Sequence, residues 1–219
     1  MSLAIGKGPE RPGAEGALSV GIDVAARRGC DVVALEDELV ARPVGRVRDA
    51  AELAALLDDL RPDVVAIDAP PAWAPDGRAR RCERELQQLG ISIFTTPNAA
   101  RGSANSFYDW MLTGFAMFEG ACGYTTLETF PHATAIALLG RRPDRGLLRD
   151  PRAKRAWRLG ALDAVGVETG ELRTIDEIDA TLCAVTGRSY LAGDAIELGD
   201  PVEGVLTLPR ALPPKVSTR

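Results

Sequence analysis

Two strand-like stretches decide the fold: LSVGIDV at residues 18–24 and DVVAIDAP at residues 63–70. In the first stretch, apolar residues alternate with small or polar ones, the period of two that is typical of a β-strand. The second is a nearly continuous apolar run, as expected of a central strand covered on both faces. Each stretch places an acid, Asp23 or Asp68, near its carboxyl end, where open α/β sheets carry their sites.

The flanking sequence predicts a mixed sheet. Strands at 31–36 and 39–47 follow the first strand directly and indicate a three-strand antiparallel meander. A helix at 49–60 then leads into the strand at 63–69, a step that requires a parallel crossover. The remaining elements are predicted at 80–89 (helix), 103–119 (helix), 124–130 (strand), 131–139 (helix) and 174–191 (helix). The predicted fold class is therefore α/β, with antiparallel and parallel strands flanked by helices.

The last predicted helix carries two more acids. Thr174 and Glu177 have the T-x-x-E spacing of a capping box, so the helix is expected to begin at Thr174. Asp176 and Asp179 are three residues apart and face the same way. Asp176 by itself is also explained as an acid that complements the positive helix end. Asp179 lies within the apolar stripe, where an acid is costly unless it meets a cation.

Acids inside apolar segments need a compensating charge, because burying an unpaired carboxylate costs several kcal/mol. A metal ion would supply that charge. The candidate ligands are Asp23, Asp68, Asp176 and Asp179, and a set of oxygen ligands favours Mg²⁺ or Mn²⁺ over zinc. Glu128, at the end of the strand at 124–130, is a candidate catalytic acid with Asp23, Asp68 and Asp179. Its alternative role is a strand acid paired with an arginine.

Composition bounds the class of protein. The chain has 219 residues, of which 46% are hydrophobic and 26% charged, which is typical of a soluble globular protein. We expect a lead-in at 1–16, a single domain at 17–210 with helical or loop insertions at 71–122 and 141–173, and a tail at 211–219. No apolar run is long enough for a membrane helix, and no signal-peptide core is visible, so a cytoplasmic protein is expected.

Charge is distributed unevenly. The net charge of −5 argues against binding nucleic acid by overall charge. The stretch at 141–158 nevertheless carries eight basic residues against two acidic ones. Within it, Arg152, Lys154, Arg155 and Arg158 are candidates for contacts with substrate phosphates. The simpler alternative is a solvated helix and loop.

The sequence has two further kinds of candidate functional residue, one histidine and four aromatic residues. His132 is the only histidine and would suit general acid or base catalysis, although a structural role near a helix start is the simpler interpretation. Four aromatic residues, Trp73, Phe107, Tyr108 and Trp110, are candidates to stack on bases at the mouth of the site. Their alternative is packing in the core or a lid.

These motifs carry a resemblance. GIDVA at 21–25, AIDAP at 66–70, ETFP at 128–131 and DEIDA at 176–180 resemble the ribonuclease H-like superfamily, whose nucleases hold two metal ions on acids. Within it, the chain resembles domain-of-unknown-function family 429, described as predicted nucleases of that fold. The further matching segments are RCEREL at 81–86, GI at 90–91 and GDPVEG at 199–204.

The resemblance implies two-metal phosphodiester hydrolysis in a ribonuclease H-like domain. In that scheme Asp23 bridges both ions, Asp68 holds one of them with Asp176 or Asp179, and Glu128 is a supporting ligand or orients water. One departure is that characterised superfamily nucleases usually have Glu on the fourth strand, where this chain has the shorter Asp68. The implied substrate is nucleic acid or a smaller phosphodiester, and a homodimer is left open.

Two other functions remain as alternatives. The first is a non-catalytic interaction module that kept the fold and lost the metals. The second is an actin-like phosphotransferase, which shares the core but needs a glycine-rich phosphate hairpin after the first acid, where this chain has VAAR at 24–27.

Overall fold

The computed structural model describes residues 16–76, 79–144 and 146–210, which contain one seven-stranded sheet with helices on both of its faces. The strands are β1 (Ser19–Asp23), β2 (Cys30–Leu35), β3 (Ala41–Val47), β4 (Val64–Ile67), β5 (Thr126–Glu128), β6 (Ala195–Asp200) and β7 (Gly204–Pro209). The helices are α1 (Ala50–Leu60), α2 (Arg81–Gln88), α3 (Ala99–Ser103), α4 (Asp109–Gly120), α5 (Pro131–Leu139), α6 (Pro151–Asp163) and α7 (Ile175–Leu191). Short 3₁₀ turns lie at Ser106–Tyr108 and Leu147–Arg149. None of the helices in this part of the chain has the length and apolar character needed to cross a membrane.

The strand order across the sheet is β3-β2-β1-β4-β5-β7-β6. Strands β1, β2 and β3 form an antiparallel meander, and β4 and β5 continue the sheet parallel to β1. This arrangement confirms the predicted α/β class, with a mixed sheet of antiparallel and parallel strands. The carboxyl ends of β1, β4 and β5 therefore meet at one edge.

The structure also shows where the predicted helices begin and which residues cap them. Asp49 caps α1 through the backbone N–H of Glu52, and Thr174 and Glu177 form the predicted capping box of α7. The single helix predicted at 103–119 is wrong in its first part, because Asn98 and Asn105 cap two separate short turns and α4 begins at Asp109.

The remaining segments take the following structures. The motif GDPVEG at 199–204 covers the end of β6, the tight turn of the β6–β7 hairpin and the first residue of β7. Within 141–173 the chain forms α6, and within 71–122 it forms α2, α3 and α4. Of the expected lead-in only Gly16 is described, and the expected tail at 211–219 lies outside the described residues.

Helices pack against both faces of the sheet. Helices α1 and α4 bury Leu53, Leu57 and Met117 against Ile22 and Ile67 on one face. On the other face, α5, α6 and α7 share one apolar core with β7, and α7 also packs against β4 and β5. Burial of apolar area at about 25 cal/mol per Å² makes these two cores the main stabilising feature.

Helix α7 lies unusually close to β1. A Cβ atom at Gly21 would fall 1.9 Å from the carbonyl oxygen of Ala180, so only glycine fits at this crossing. Nearby, the Ser19 hydroxyl donates to the carbonyl of Ala184 at 2.8 Å. This close contact brings the first turns of α7 next to the carboxyl end of β1.

Candidate functional site: an acidic cluster at the strand ends

Asp23 and Asp68 lie side by side at the edge where the parallel strands end. Asp23 closes β1, and Asp68 follows β4 directly. The backbone N–H of Asp68 donates to the carbonyl of Ile22 at 3.0 Å, which continues the parallel register of the two strands. Because side chains alternate along a strand, both acids share the sheet face that Gly21 presents to α7.

The first turns of α7 add Asp176 and Asp179, both buried. One carboxylate oxygen each of Asp23, Asp31 and Asp176 lie within 4.8 Å of one another, which is close enough to share an ion. The N-terminal end of α7 carries a partial positive charge that favours anionic groups here. A buried acidic triad therefore exists in the described part of the chain.

Asp31 was missed by the sequence reasoning. It opens β2 and pairs directly with Asp23 in the antiparallel register of β1 and β2. The sequence did contain a signal for Asp31. When two antiparallel strands are joined by a short turn, the first residues of the second strand pair with the last residues of the first. An acid near the start of β2 therefore lies opposite the acid at the end of β1.

Protein cations already compensate part of this acidic charge. Arg28 forms an ion pair with Asp176, and Arg158 forms one with Asp179. Arg46 pairs with one oxygen of Asp31 at 2.9 Å. The second oxygen of Asp31 and one oxygen of Asp179 are nevertheless buried without a hydrogen-bond partner. Buried carboxylate oxygens are rarely left unpartnered, so this donor set fits a further cation.

The crowding of acids changes their protonation. Burial raises the pKa of Asp23 well above its usual range, and the charges of Asp68 and Asp176 raise it further. Burial likewise raises the pKa of Asp68 to about 7, although Arg158 opposes the shift. Without a metal ion, the cluster is therefore expected to hold protons at near-neutral pH.

Glu128 lies at the same edge but does not join the cluster. Its register partner on β4 is Ile67, so its side chain points to the opposite face from Asp68. There both of its oxygens accept from the Arg80 guanidinium, at 2.5 and 2.7 Å, and Arg80 also pairs with Glu83 at 2.9 Å. The alternative left open by the sequence, a strand acid paired with an arginine, describes this geometry.

The four candidate phosphate contacts on α6 take different positions. Lys154 and Arg158, one helical turn apart, are on the side of α6 that faces the acids, and Arg158 is buried. The Arg155 guanidinium donates to the carbonyl of Leu172 at 3.2 Å. Arg152 is exposed. The structure thus separates an exposed cation, Arg152, from two that are held at the cluster.

His132 lines a separate cavity with Arg142, and none of the clustered aspartates is among the described residues that line it. Its ring contacts those of Phe130 and Trp157, at centroid distances of 5.9 and 5.5 Å. Burial lowers the pKa of His132 to about 4, so the imidazole is neutral at pH 7. An imidazole that is neutral at pH 7 has no imidazolium proton to donate as a general acid at that pH.

Of the four aromatic candidates, Trp73 and Tyr108 are packed within the protein, whereas Trp110 lines a cavity and Phe107 is exposed. Trp73 packs edge-on against Phe115 at 4.8 Å, and Tyr108 is buried. Trp110 lines a cavity that also contains Asp68, and Phe107 is 54% exposed. Sequence reasoning missed Phe94, which lies on the wall of the same cavity and is 64% exposed. An exposed phenylalanine in a segment without regular structure gave no periodic signal.

Comparison with known proteins gives the following similarities. The chain is similar to a solved structure of Thermus thermophilus RuvC, at 19% identity and a TM-score of 0.44, over 80% of this chain and 96% of that chain. It is also similar to T. thermophilus RuvC in complex with a Holliday junction substrate, at 16% identity and a TM-score of 0.43, over 81% of this chain and 96% of that chain. No curated protein matches the chain. Over residues 21–107 the chain matches the family described as "Protein of unknown function (DUF429)", which confirms the resemblance drawn from its motifs.

Proposed function

We propose that this protein is a divalent-metal-dependent phosphodiester hydrolase that acts on nucleic acid, with Mg²⁺ or Mn²⁺ as its ion. The observation that supports this most is the acidic cluster, in which β1, β2, the end of β4 and α7 each present an aspartate at one edge of the sheet. Two of these aspartates retain a buried oxygen without a partner.

The proposed ligands are the aspartates of the acidic cluster. Asp23, Asp31 and Asp176 would hold one ion, because their oxygens already lie within 4.8 Å of one another. Asp68, beside Asp23, and Asp179 would hold a second ion, with Asp23 shared between the two. Bound divalent ions stabilise the attacking and leaving oxygens of a phosphodiester and lower the pKa of water.

The protein's own groups would perform the remaining tasks. The Asp68 carboxyl, with a pKa of about 7, would release its proton when a cation neutralises the cluster. Arg158 would orient Asp179 through their ion pair. Lys154, half-buried and within electrostatic reach of Asp23, Asp68 and Asp176, would attract the substrate phosphate toward the acids.

Glu128 would hold Arg80 in place and would not contact the ions. Arg80 and Glu128 are each almost fully buried, and a buried pair with both oxygens engaged has no free position for a metal. The exposed Arg152 would contact phosphates farther along the strand, without reading sequence.

The test is cleavage of labelled DNA and RNA, as single strands, duplexes and branched junctions, in Mg²⁺ or Mn²⁺ and in EDTA. Cleavage should require the metal, and Asp23→Asn should reduce it by more than about 100-fold, since even outer partners of a metal cost about 10 to 100-fold. Asp59→Asn, on the exposed side of α1, is the matched control and should cleave like the wild type. Cleavage that persists in EDTA or in Asp23→Asn would refute the proposal.

The non-catalytic module remains a second candidate because of one observation. Arg28 and Arg158 already neutralise Asp176 and Asp179, so two of the acids have partners within the protein. In that case, Mn²⁺ would leave the thermal unfolding temperature unchanged, whereas an ion that binds the folded protein raises it by mass action.

A further inference from the structure

A small cavity opens beside Asp68, at the carboxyl ends of the parallel strands β1, β4 and β5. Its volume is about 230 Å³, below the roughly 300 to 1,000 Å³ of sites for drug-sized ligands. Its walls are mostly apolar and aromatic, formed by Val24, Ala69, Pro70, Phe94, Trp110 and Met111. A site of this size and lining admits one flat ring system and no larger ligand.

Three polar residues of the cavity, Arg80, Thr96 and Glu128, are already hydrogen-bonded within the protein. Arg80 and Glu128 form their buried bidentate pair, and the Thr96 hydroxyl donates to Glu83 at 2.6 Å. Among the described residues that line the cavity, none has a buried polar side-chain atom without a partner. A ligand here is therefore recognised by its shape and apolar faces more than by hydrogen bonds.

Phe94 stands at the rim with 64% of its surface exposed. Its ring meets that of Phe107, which is 54% exposed, at a centroid distance of 5.7 Å. Thr96, two residues on, fixes this segment, because both its backbone N–H and its hydroxyl donate to the buried Glu83. Phe94 on its anchored segment and Phe107, which contacts it, form an exposed aromatic patch beside the cavity, and such a patch indicates a binding surface.

We propose that this cavity receives one nucleobase of the substrate, stacked against Phe94, while the adjoining phosphodiester lies at the acidic cluster. This inference rests on the proposed function and adds a substrate class to it. Asp68 connects the cavity with the acidic cluster, because it lines the cavity and also lies beside Asp23. The walls of the cavity are mostly apolar and aromatic, so a nucleobase is the part of the substrate that fits there.

A base in this cavity cannot be stacked in a duplex. The favoured substrate is therefore a single strand, or a strand distorted so that one base next to the scissile phosphate is unstacked. Stacking on an aromatic side chain is worth about 1 to 3 kcal/mol per base, or roughly 5 to 150-fold in affinity.

The experiment measures binding and cleavage separately. Binding of single-stranded oligonucleotides is measured with Ca²⁺ in place of Mg²⁺, using strands in which one base at a time is replaced by an abasic residue. Wild-type protein should lose about 5 to 150-fold in affinity at one position, and Phe94→Ala should lose the same affinity for the intact strand and show no further loss at that position. Phe94→Trp should keep the preference for a base. Val202→Ala, which shortens an exposed apolar residue in the β6–β7 turn, should behave like the wild type.

The outcomes distinguish the two proposals. Cleavage in Mg²⁺ without any base-dependent loss in binding would overturn the base site and leave the hydrolase in place. Binding that depends on one base and on Phe94, without cleavage in Mg²⁺ or Mn²⁺, would support the base site and refute the hydrolase. Failure to bind any strand would overturn the base site.

Discussion

Replacing Asp68 by asparagine should change how stability depends on pH. Burial raises the pKa of Asp68 to about 7, against about 3.9 in an unfolded chain. The folded protein therefore binds the proton more tightly than the unfolded chain, so this group stabilises the folded state fully below pH 4. That contribution is lost as the pH rises through 7.

The magnitude follows from the two pKa values. A difference of about three pH units corresponds to about 4 kcal/mol in the free energy of unfolding, of which about 2.5 kcal/mol falls between pH 5 and pH 8. Asparagine mimics the protonated carboxyl at every pH. In Asp68→Asn this part of the loss should disappear, so the variant should gain about 2.5 kcal/mol on the wild type between pH 5 and pH 8.

Urea unfolding of both proteins in EDTA, at half-unit steps from pH 5 to pH 8, measures this difference. Taking the difference between the two proteins removes the contribution of titrating groups that the charge of Asp68 does not reach. Saturating Mn²⁺ should reverse the ranking at pH 8, because the ion binds the ionised Asp68 of the folded wild type. A difference between variant and wild type that stays constant across the pH range would refute the assignment of a raised pKa to Asp68.

Three further substitutions test other parts of the account. Gly21→Ala should destabilise the protein by about 1 to 3 kcal/mol or more in urea unfolding, because the added Cβ would push α7 away from β1. The same variant should bind Mn²⁺ more weakly in calorimetry. Unchanged stability would contradict the close crossing of α7 and β1. Glu128→Gln should cost about 3 to 5 kcal/mol of stability but leave Mn²⁺ affinity unchanged, because Glu128 pairs with the buried Arg80; a loss of Mn²⁺ affinity at intact stability would make it a ligand. Arg152→Ala should lower the salt slope of nucleic-acid binding by about 0.7 to 0.9, with no dependence on sequence; an unchanged slope would remove Arg152 from the phosphate path.

The sheet was predictable because its signals are local and strong. The alternation of apolar residues in 18–24, the apolar run in 63–69 and the T-x-x-E capping box each predict one element. The rules of strand connection then restrict how these elements join. The start of α7 after its cap Thr174 and the placement of Asp23 and Asp68 at adjacent strand ends follow from these signals.

The details of the site depend on contacts between distant segments. The orientation of Glu128 is set by a one-residue choice of register between β4 and β5, which turns a strand's side chains to the other face. The pairing of Arg158 with Asp179 depends on how α6 docks on α7, and the sequence has no periodic signal for that docking. Phe94 lies in a segment without regular structure, so its exposure beside a cavity was visible only in the folded chain.

The proposed function requires a divalent ion bound by Asp23, Asp31 and Asp176. Anomalous diffraction from crystals soaked in Mn²⁺ measures whether an ion binds there. We predict an anomalous peak about 2.0 to 2.6 Å from carboxylate oxygens of all three residues, with Arg28 displaced from Asp176. The absence of a peak at saturating Mn²⁺, with the Arg28–Asp176 and Arg158–Asp179 ion pairs intact, would contradict it.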